Sequence, residues 1–551
     1  MNFKRICSLM LIVTVGLSVA DAQEKPTEAP ASPTQEKPKE KGNENIRLLN
    51  AKNKFLERDY KLALDLYKEL LAEHKSDPIF NLRVGQCFLE LNKGDEALTY
   101  LEKAKELKAD VDEDIDFYLG RAYHKTSQID KAIASLNAFK GKISPKRAKS
   151  LELDWFLEQC NTAKIFMEKP ADVVITNLGP DINSKFDDYA PSISADGKTM
   201  IFTSRRDDTK GGGIDWESDK KFFEDIYMST WDEKKGGWDQ AHAIKGSLNT
   251  EGHDASLSIA PDGKKIFVYR NITDETRSGD IYVSKMNNSG KWGAPHSLGE
   301  PINSSYFESS ASITVDGNTL FFVSERKGGQ GNSDIWMVTK KTKQLWNEPV
   351  NMGPVINTIE DEVSVFIHPD GKTLFFSSKG HNSMGGYDIF KTVLDDKGNW
   401  SKPENVGFPI NTVNDDLHFS LSTDLSTAYY SSYIPNKGQG ERDIYKIDMS
   451  KYFKHETGKG PELSILQGKI TDATTGVETE SDIIVLDESG KECATTHAVD
   501  GTYFFTLPSG KTYTLSIRKD GYKDISEKIS LALDKAKGTS STVKDFSLEK
   551  K

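Results

Sequence analysis

Between Ile46 and about Pro170, apolar residues recur with the three-to-four-residue period of helices that bury one face. Within this stretch the pattern itself repeats. Gly85 and Gly120 stand 35 residues apart, each after an apolar residue (Val84 and Leu119), and Ala97 and Ala132 keep the same spacing. Ala63 lies 34 residues before Ala97, and the aromatics Phe88 and Tyr123 sit three positions after each glycine. This predicts two helical pairs, Asn81–Ala109 and Ile115–Ile143, with a degenerate pair before them (Asn50–His74) and a closing helix after them (Leu151–Met167).

Beyond about residue 171 the period changes to two and a longer repeat takes over. Asn183, Asn249, Asn303, Asn357 and Asn411 each follow Ile or Leu, at steps of 66, 54, 54 and 54. A strand-like stretch and a turn come next: Asp196-Gly197, Asp262-Gly263, Asp316-Gly317 and Asp370-Gly371, with Asp424-Leu425 in the fifth copy. Asp-Gly between alternating hydrophobics marks a hairpin, because glycine accepts the positive φ of the turn. An aromatic-bearing strand follows, then a loop, then Asp-Ile-aromatic at Asp225, Asp280, Asp334, Asp388 and Asp443. Trp238, Trp292, Trp346 and Trp400 close the first four copies at steps of 54. Four short strands per copy of about 50 residues is the pattern of a propeller blade, so residues 171–453 are expected to form a five-bladed β-propeller. The 12 extra residues of the first step (66 − 54) fall between Ser204 and Asp225. The fifth copy lacks the Trp-bearing strand, and Val173–Gly179 resembles it; supplied from the N-terminal side, it would close the ring and leave no open edge. A third region, 463–549, alternates like strands again without this repeat.

One acidic side chain lies five positions after each repeated Asn: Asp188, Asp254, Glu308, Glu362 and Asp416. Recurrence places one carboxylate per blade at the same radius and height. Such a ring either attracts a cation or a basic peptide, or fixes a loop in every blade by accepting backbone N–H bonds. The Asp of each Asp-Ile-aromatic triplet is expected to begin a strand or turn. Asp110, Asp112, Asp114 and Asp116 alternate like a calcium loop, but Ile115 stands where that loop needs Gly and Arg121 where it needs Glu, so a solvated loop is expected.

The N-terminus adds a location. Lys4 and Arg5, an apolar run from Ile6 to Val19, and Ala20-Asp21-Ala22 have the layout of a secretory signal peptide over residues 1–22, too short for a membrane span. A Pro, Glu and Lys-rich spacer follows over 23–44. Net charge of −12 disfavours nucleic acid as a partner. Cys87, Cys160 and Cys493 remain after cleavage and are expected to be buried free thiols, with a Cys87–Cys160 bridge as the alternative. Gly-Lys-Thr occurs at 197–199, 371–373 and 510–512, but Ser192, Phe366 and Phe505 occupy the P-loop glycine position. There is no G-x-S-x-G, H-E-x-x-H or C-x-x-C. No catalytic residue, metal site or cofactor is therefore predicted, and the chain is read as a non-enzyme. A glycosidase needs only two well-spaced carboxylates, so that class stays open.

Three resemblances sharpen the expectation. The repeat over 45–170 resembles the tetratricopeptide repeat, implying an α-helical solenoid whose concave groove takes a partner's peptide or helix. By family position Leu82, Gln86, Leu89, Glu90, Phe117, Arg121 and His124 would line that groove. The Pro261-Asp262-Gly263-Lys264 and Pro369-Asp370-Gly371-Lys372 turns resemble TolB-type propellers. Gly468–Asp472, Ile483–Val485, Asp500-Gly501, Tyr503–Leu507 and Gly521-Tyr522 resemble the carboxypeptidase-regulatory-like, transthyretin-like β-sandwich, a non-catalytic accessory module in its family. This multi-domain order resembles a periplasmic protein family of the Bacteroidetes whose best-known kind is PorE, an accessory of type IX secretion. The resemblance implies a scaffold that binds cell-envelope proteins near the outer membrane. PorE-type proteins end in an OmpA-like domain, whereas this sequence stops at Lys551 after the sandwich, so direct peptidoglycan binding is not expected. A glycan- or peptide-binding module for nutrient capture is the alternative.

Overall fold

The computed structural model describes residues 44–215, 220–271, 279–287, 289–342, 345–434, 438–440, 442–455, 462–532 and 540–551; the expected signal peptide, and the spacer up to residue 43, lie outside these. The chain divides into one unit up to Leu153 together with Ile214–Lys221, and a second made of Asp154–Gly213 and Phe222–Lys551.

Eight helices come first among the described residues: α1 (Glu44–Leu56), α2 (Tyr60–Glu73), α3 (Pro78–Glu90), α4 (Gly94–Leu107), α5 (Ile115–Lys125), α6 (Ile129–Lys140), the short α7 (Pro145–Ser150) and α8 (Leu153–Glu168). Local chemistry sets their starts. Asp77 accepts from the Ile79 and Phe80 N–H groups at the head of α3, and Pro78 occupies the first turn, where its missing N–H is not needed. Ser144 and Pro145 repeat the device at α7, a helix the hydrophobic period does not announce. In the first unit α1 packs on α2, α3 on α4 and α5 on α6. Their shared interior holds Ala63, Tyr67, Leu70, Val84, Leu101 and Leu119. The two repeated glycines are packing residues: a Cβ on Gly85 would stand 2.7 Å from Leu101 Cγ, and one on Gly120 2.6 Å from Leu136 Cγ. The paired helices approach too closely for a larger side chain.

The second unit is β-rich after α8. Five antiparallel sheets follow the five sequence repeats. Their first strands are Asp188–Ile193, Asp254–Ile259, Glu308–Ile313, Glu362–Ile367 and Asp416–Leu421. The second strands are Thr199–Ser204, Lys265–Arg270, Thr319–Ser324, Thr373–Ser378 and Thr427–Ser432, and the third strands begin at Asp225, Asp280, Asp334, Asp388 and Asp443. Each first strand packs against that of the next sheet, and the fifth against the first. The outermost strand of the fifth sheet is Val174–Asn177, paired antiparallel with Tyr445–Asp448, as the incomplete fifth copy predicts. The hairpin glycines Gly197, Gly263, Gly317 and Gly371 have φ between +68 and +70°, and Leu425 takes the same left-handed conformation at +62° while its side chain packs on the core of the fifth sheet.

The repeated Asn joins one sheet to the one before. Its Oδ1 accepts from, and its Nδ2 donates to, the main chain of the Ile that follows the third-strand Asp. Asn249 grips Ile226 (2.9 and 3.1 Å), Asn303 Ile281 (3.0 and 2.9 Å), Asn357 Ile335 (2.9 and 2.9 Å) and Asn411 Ile389 (2.8 and 2.8 Å). Asn183 of the first sheet grips Ile444 of the fifth in the same way, at 2.8 Å for both bonds.

The C-terminal strands form two further sheets. In one, Leu463–Asp472 lies beside Thr502–Pro508 and runs parallel to Ser540–Val543 and Phe546–Leu548; the other orders Glu492–Ala498, Ser481–Leu486, Lys511–Arg518 and Ile525–Leu531. Leu466, Ile470, Phe505, Val485, Leu515 and Ile517 bring the two together in one core.

Candidate functional site

The helical positions expected to line a groove are mostly interior. Leu82 and Leu89 belong to the core of the first unit, and Gln86, Phe117 and His124 are also buried, so packing uses their surface. Gln86 accepts from Arg83 (2.8 Å), and the Phe117 ring lies 5.5 Å from that of Phe139. Only Glu90 and Arg121 retain appreciable exposure, and they bind each other at 2.7 Å. The alternating aspartates are only partly the solvated loop expected. Asp116 is buried and bridges Lys105 and Lys142 at 2.6 Å each, while Asp114 pairs with Arg147 at 2.7 Å. Cys87 and Cys160 are buried free thiols pushed up to about 12 by burial, whereas Cys493 is exposed, contrary to expectation.

The five ring carboxylates are fully buried and serve their own loops. Asp188 accepts from the Ser184 N–H and hydroxyl (2.6 and 2.7 Å), Asp254 from Thr250 (2.5 and 2.6 Å) and Glu308 from Ser304 (3.0 and 2.6 Å). Glu362 accepts from Thr358 (2.9 and 2.7 Å) and Asp416 from Thr412 (2.6 and 2.9 Å). A group with no exposed surface presents nothing to a cation or peptide, which removes the acidic-rim reading of this ring. Three of the five also hold an arginine: Arg206 on Asp188 (3.1 Å), Arg270 on Asp254 (2.8 Å) and Arg326 on Glu308 (3.2 Å). No ion pair reaches Glu362 or Asp416 among the described residues. In the fourth repeat Gly380 occupies the position of Arg206 and Arg326, and the next residue, His381, lies with Nε2 2.9 Å from the Ile356 carbonyl and its ring beside those of Phe376 and Phe390. Burial pushes both carboxyls up to about 7.

A cavity lies among the first strands, lined by Ala190, Ser192, Ser258, Ser310, Ser364 and His418 with their neighbours. Two of its hydroxyls stitch the sheets, Ser310 accepting from the Val365 N–H (3.1 Å) and Ser192 from that of Ile259 (3.1 Å), and the neighbouring Ser312 accepts from the Ile367 N–H (3.0 Å). At the end where the first strands terminate, hairpin turns interlock. Ala195 N–H donates to Pro261 O (3.0 Å), and Thr423 donates to Ala195 O (2.7 Å). The C-terminal strand Thr502–Pro508 lies on these turns, through Lys264 to Thr502 (2.8 Å) and Thr506 to Pro369 O (2.6 Å).

At the opposite end, where the first strands begin, the repeat breaks. Tyr189 replaces the Ala255, Ser309, Val363 and Leu417 of the other copies, and Glu224 stands where Gly279, Ser333, Tyr387 and Arg442 precede the third-strand Asp. The Tyr189 hydroxyl donates to Glu224, and His253 Nδ1 lies 3.2 Å from the same carboxylate. Burial alone would raise the Glu224 carboxyl, but the His253 bond, Arg205 and the Tyr189 bond hold it down at about 2. The Tyr189 ring is 5.9 Å from that of His418, and the Arg442 guanidinium lies 5.3 Å from its centre. Burial first, then Arg442, depresses His418 to about 3, so it is neutral. Sequence reading missed this group because its members are the positions that do not repeat; comparing the copies column by column is the signal that would have found them.

Residues 54–116 match the tetratricopeptide repeat family, so the chain contains such repeats. No curated protein matches the chain. Among solved structures, the type III secretion chaperone SycD of Yersinia enterocolitica, in complex with a peptide of the translocator YopD, is similar at 18% identity. That similarity covers 23% of this chain and 98% of the chaperone, with a TM-score of 0.20. PcrH, in complex with the chaperone binding region of PopD, is 15% identical over 22% of this chain and 92% of its own, also at 0.20. An α-L-arabinofuranosidase from Lactobacillus brevis is 14% identical over 49% of this chain and 92% of its own, at 0.32. At these TM-scores none of the three bears on what this chain does.

Proposed function

We propose that this protein is a non-catalytic scaffold that binds protein partners in the cell envelope. It would work in the periplasm close to the outer membrane, in a setting of the type IX secretion or gliding kind. In this reading the five sheets are the blades of a TolB-type β-propeller and the C-terminal sheets a transthyretin-like accessory module. The observation that carries it is the tetratricopeptide match over 54–116, a repeat that mediates protein–protein interaction. The ring carboxylates add support, since all five are consumed in holding loops. Crosslinking in native envelopes followed by partner identification tests it. Envelope proteins recovered with the full chain, and lost when the first unit is unfolded by Gly120→Trp, are the expected result. An uncrosslinked monomer, or turnover of a substrate by the purified chain, overturns it.

A further inference from the structure

We propose that α1 is a self-association surface, and that its occupant is the α1 of a second copy of this chain, aligned parallel to it. This goes beyond the scaffold reading and stands without it.

The helix has two apolar faces. Leu48, Ala51 and Phe55 turn into the core of the first unit, and Arg47 ties the helix to Glu73 of α2 at 2.7 Å. The opposite stripe is Ile46, Leu49, Asn53 and Leu56, at steps of three, four and three. Ile46, Leu49 and Leu56 are 56, 56 and 78% exposed, and Asn53 is exposed with them. α1 packs on α2 and stands first in the row of described helices, so this stripe points away from the unit. End faces of such solenoids are polar because they meet water. Folding of one copy does not account for three large aliphatic groups in a line along one of them.

Three observations name the occupant. The steps are those of a heptad, with Ile46 and Asn53 at its a positions and Leu49 and Leu56 at its d positions. A β-branched residue at a with Leu at d suits a parallel two-stranded pair, and a single Asn at a fixes its register. Charge agrees with that direction. Lys52 and Glu57 flank the stripe at g and e, so in a parallel pair Lys52 of each copy lies beside Glu57 of the other; an antiparallel pair brings the two Lys52 side chains together. Lys52 has no ion partner among the described residues, and Glu57 holds the exposed Lys54 at 2.6 Å, a surface pair of little energy. Last, the chain just ahead of α1 cannot supply the cover, since residues 23–43 contain no Val, Ile, Leu, Met, Phe, Tyr or Trp.

Sedimentation velocity of the full chain over about 1–100 μM is expected to show a monomer–dimer equilibrium. Leu49→Glu, at an exposed position, is expected to weaken it about a hundredfold or more. Asn53→Ile is expected to tighten it about tenfold or more, because the polar residue that sets the register costs stability. Far-ultraviolet circular dichroism of the monomer should be unchanged in both. With the exposed Cys493 replaced by Ser, Asn53→Cys is expected to crosslink to itself under mild oxidation, since residues at one a position face each other in a parallel pair and not in an antiparallel one. A monomer throughout the range, whether the apolar run Ile6–Val19 or nothing covers the stripe, overturns the proposal. So does a dimer that a folded Leu49→Glu protein keeps, or an Asn53→Cys protein that dimerises without crosslinking. If Leu49→Glu fails to fold, the Asn53→Ile and Asn53→Cys outcomes decide the matter by themselves.

Discussion

Replacing Arg326 by methionine isolates one charge in the ring. Glu308 has no exposed side-chain surface and Arg326 only 12%. The guanidinium donates to Glu308 (3.2 Å), to Pro301 O (3.0 Å), to Ser324 Oγ (2.9 Å) and to Ile302 O, and it packs 4.9 Å from the centre of Phe322. Methionine keeps most of the apolar stem, so the main loss is charge. Glu308 would keep the Ser304 and Ser324 donors but have no cation, and an uncompensated buried ion costs about 3–5 kcal/mol. The double change Arg326→Met with Glu308→Gln removes the ion as well, and should recover all but about 1–2 kcal/mol. Urea unfolding followed by tryptophan fluorescence reads this, because seven of the eight tryptophans lie within 171–453. The reasoning fails if the single variant falls within about 1 kcal/mol of the parent, or if the double variant is less stable than the single.

Other outcomes follow from the same packing. Asp416 pairs with no arginine among the described residues, and burial holds its carboxyl near 7 against an ordinary 3.8. The folded chain therefore binds this proton more tightly, so its contribution is present below about pH 4 and lost as pH rises to 7, by roughly 4 kcal/mol. Asp416→Asn should flatten stability measured over that window; an unchanged slope counts against the assignment. Gly85→Val places carbon against Leu101 Cγ at 2.7 Å and should cost about 1–3 kcal/mol, read as a lowered helical melting temperature by circular dichroism at 222 nm. Asn183→Ala removes both bonds to Ile444 and should cost about 2–3 kcal/mol, with hydrogen exchange rising first at Ile444 and across residues 174–177.

The elements legible in the sequence were those fixed by local rules applied repeatedly. The glycines at 85 and 120, the four Asp-Gly turns and the five acidic positions each mark something that repetition makes visible, and the missing fifth outer strand could be counted. What repetition does not reveal is which way a side chain points. Groove positions carried over for Leu82, Leu89 and Phe117 are interior because apolar side chains on these helices are taken by their neighbours. The role of the repeated Asn is invisible in sequence because its partner, a backbone amide, has no letter. Leu425 hides a left-handed turn because packing on the fifth sheet offsets the strain that glycine avoids in the other copies. The group around Tyr189 was missed for the opposite reason: Tyr189, Glu224, His253, His418 and Arg442 come from three different copies and meet only in space.

The grip of Asn183 on Ile444 has a consequence for synthesis. During translation residue 183 leaves the ribosome 261 residues ahead of its partner, so the first repeat must wait with its amide side chain and the strand 174–177 unsatisfied until the last repeat arrives. Such long-range closure slows folding and exposes an unpaired strand in the interim. A nascent chain cut short before Asp443 would hold four whole repeats and two strands of the fifth yet be left with a sticky flank at Val174–Asn177, making truncation there far more hazardous to this protein than substitution.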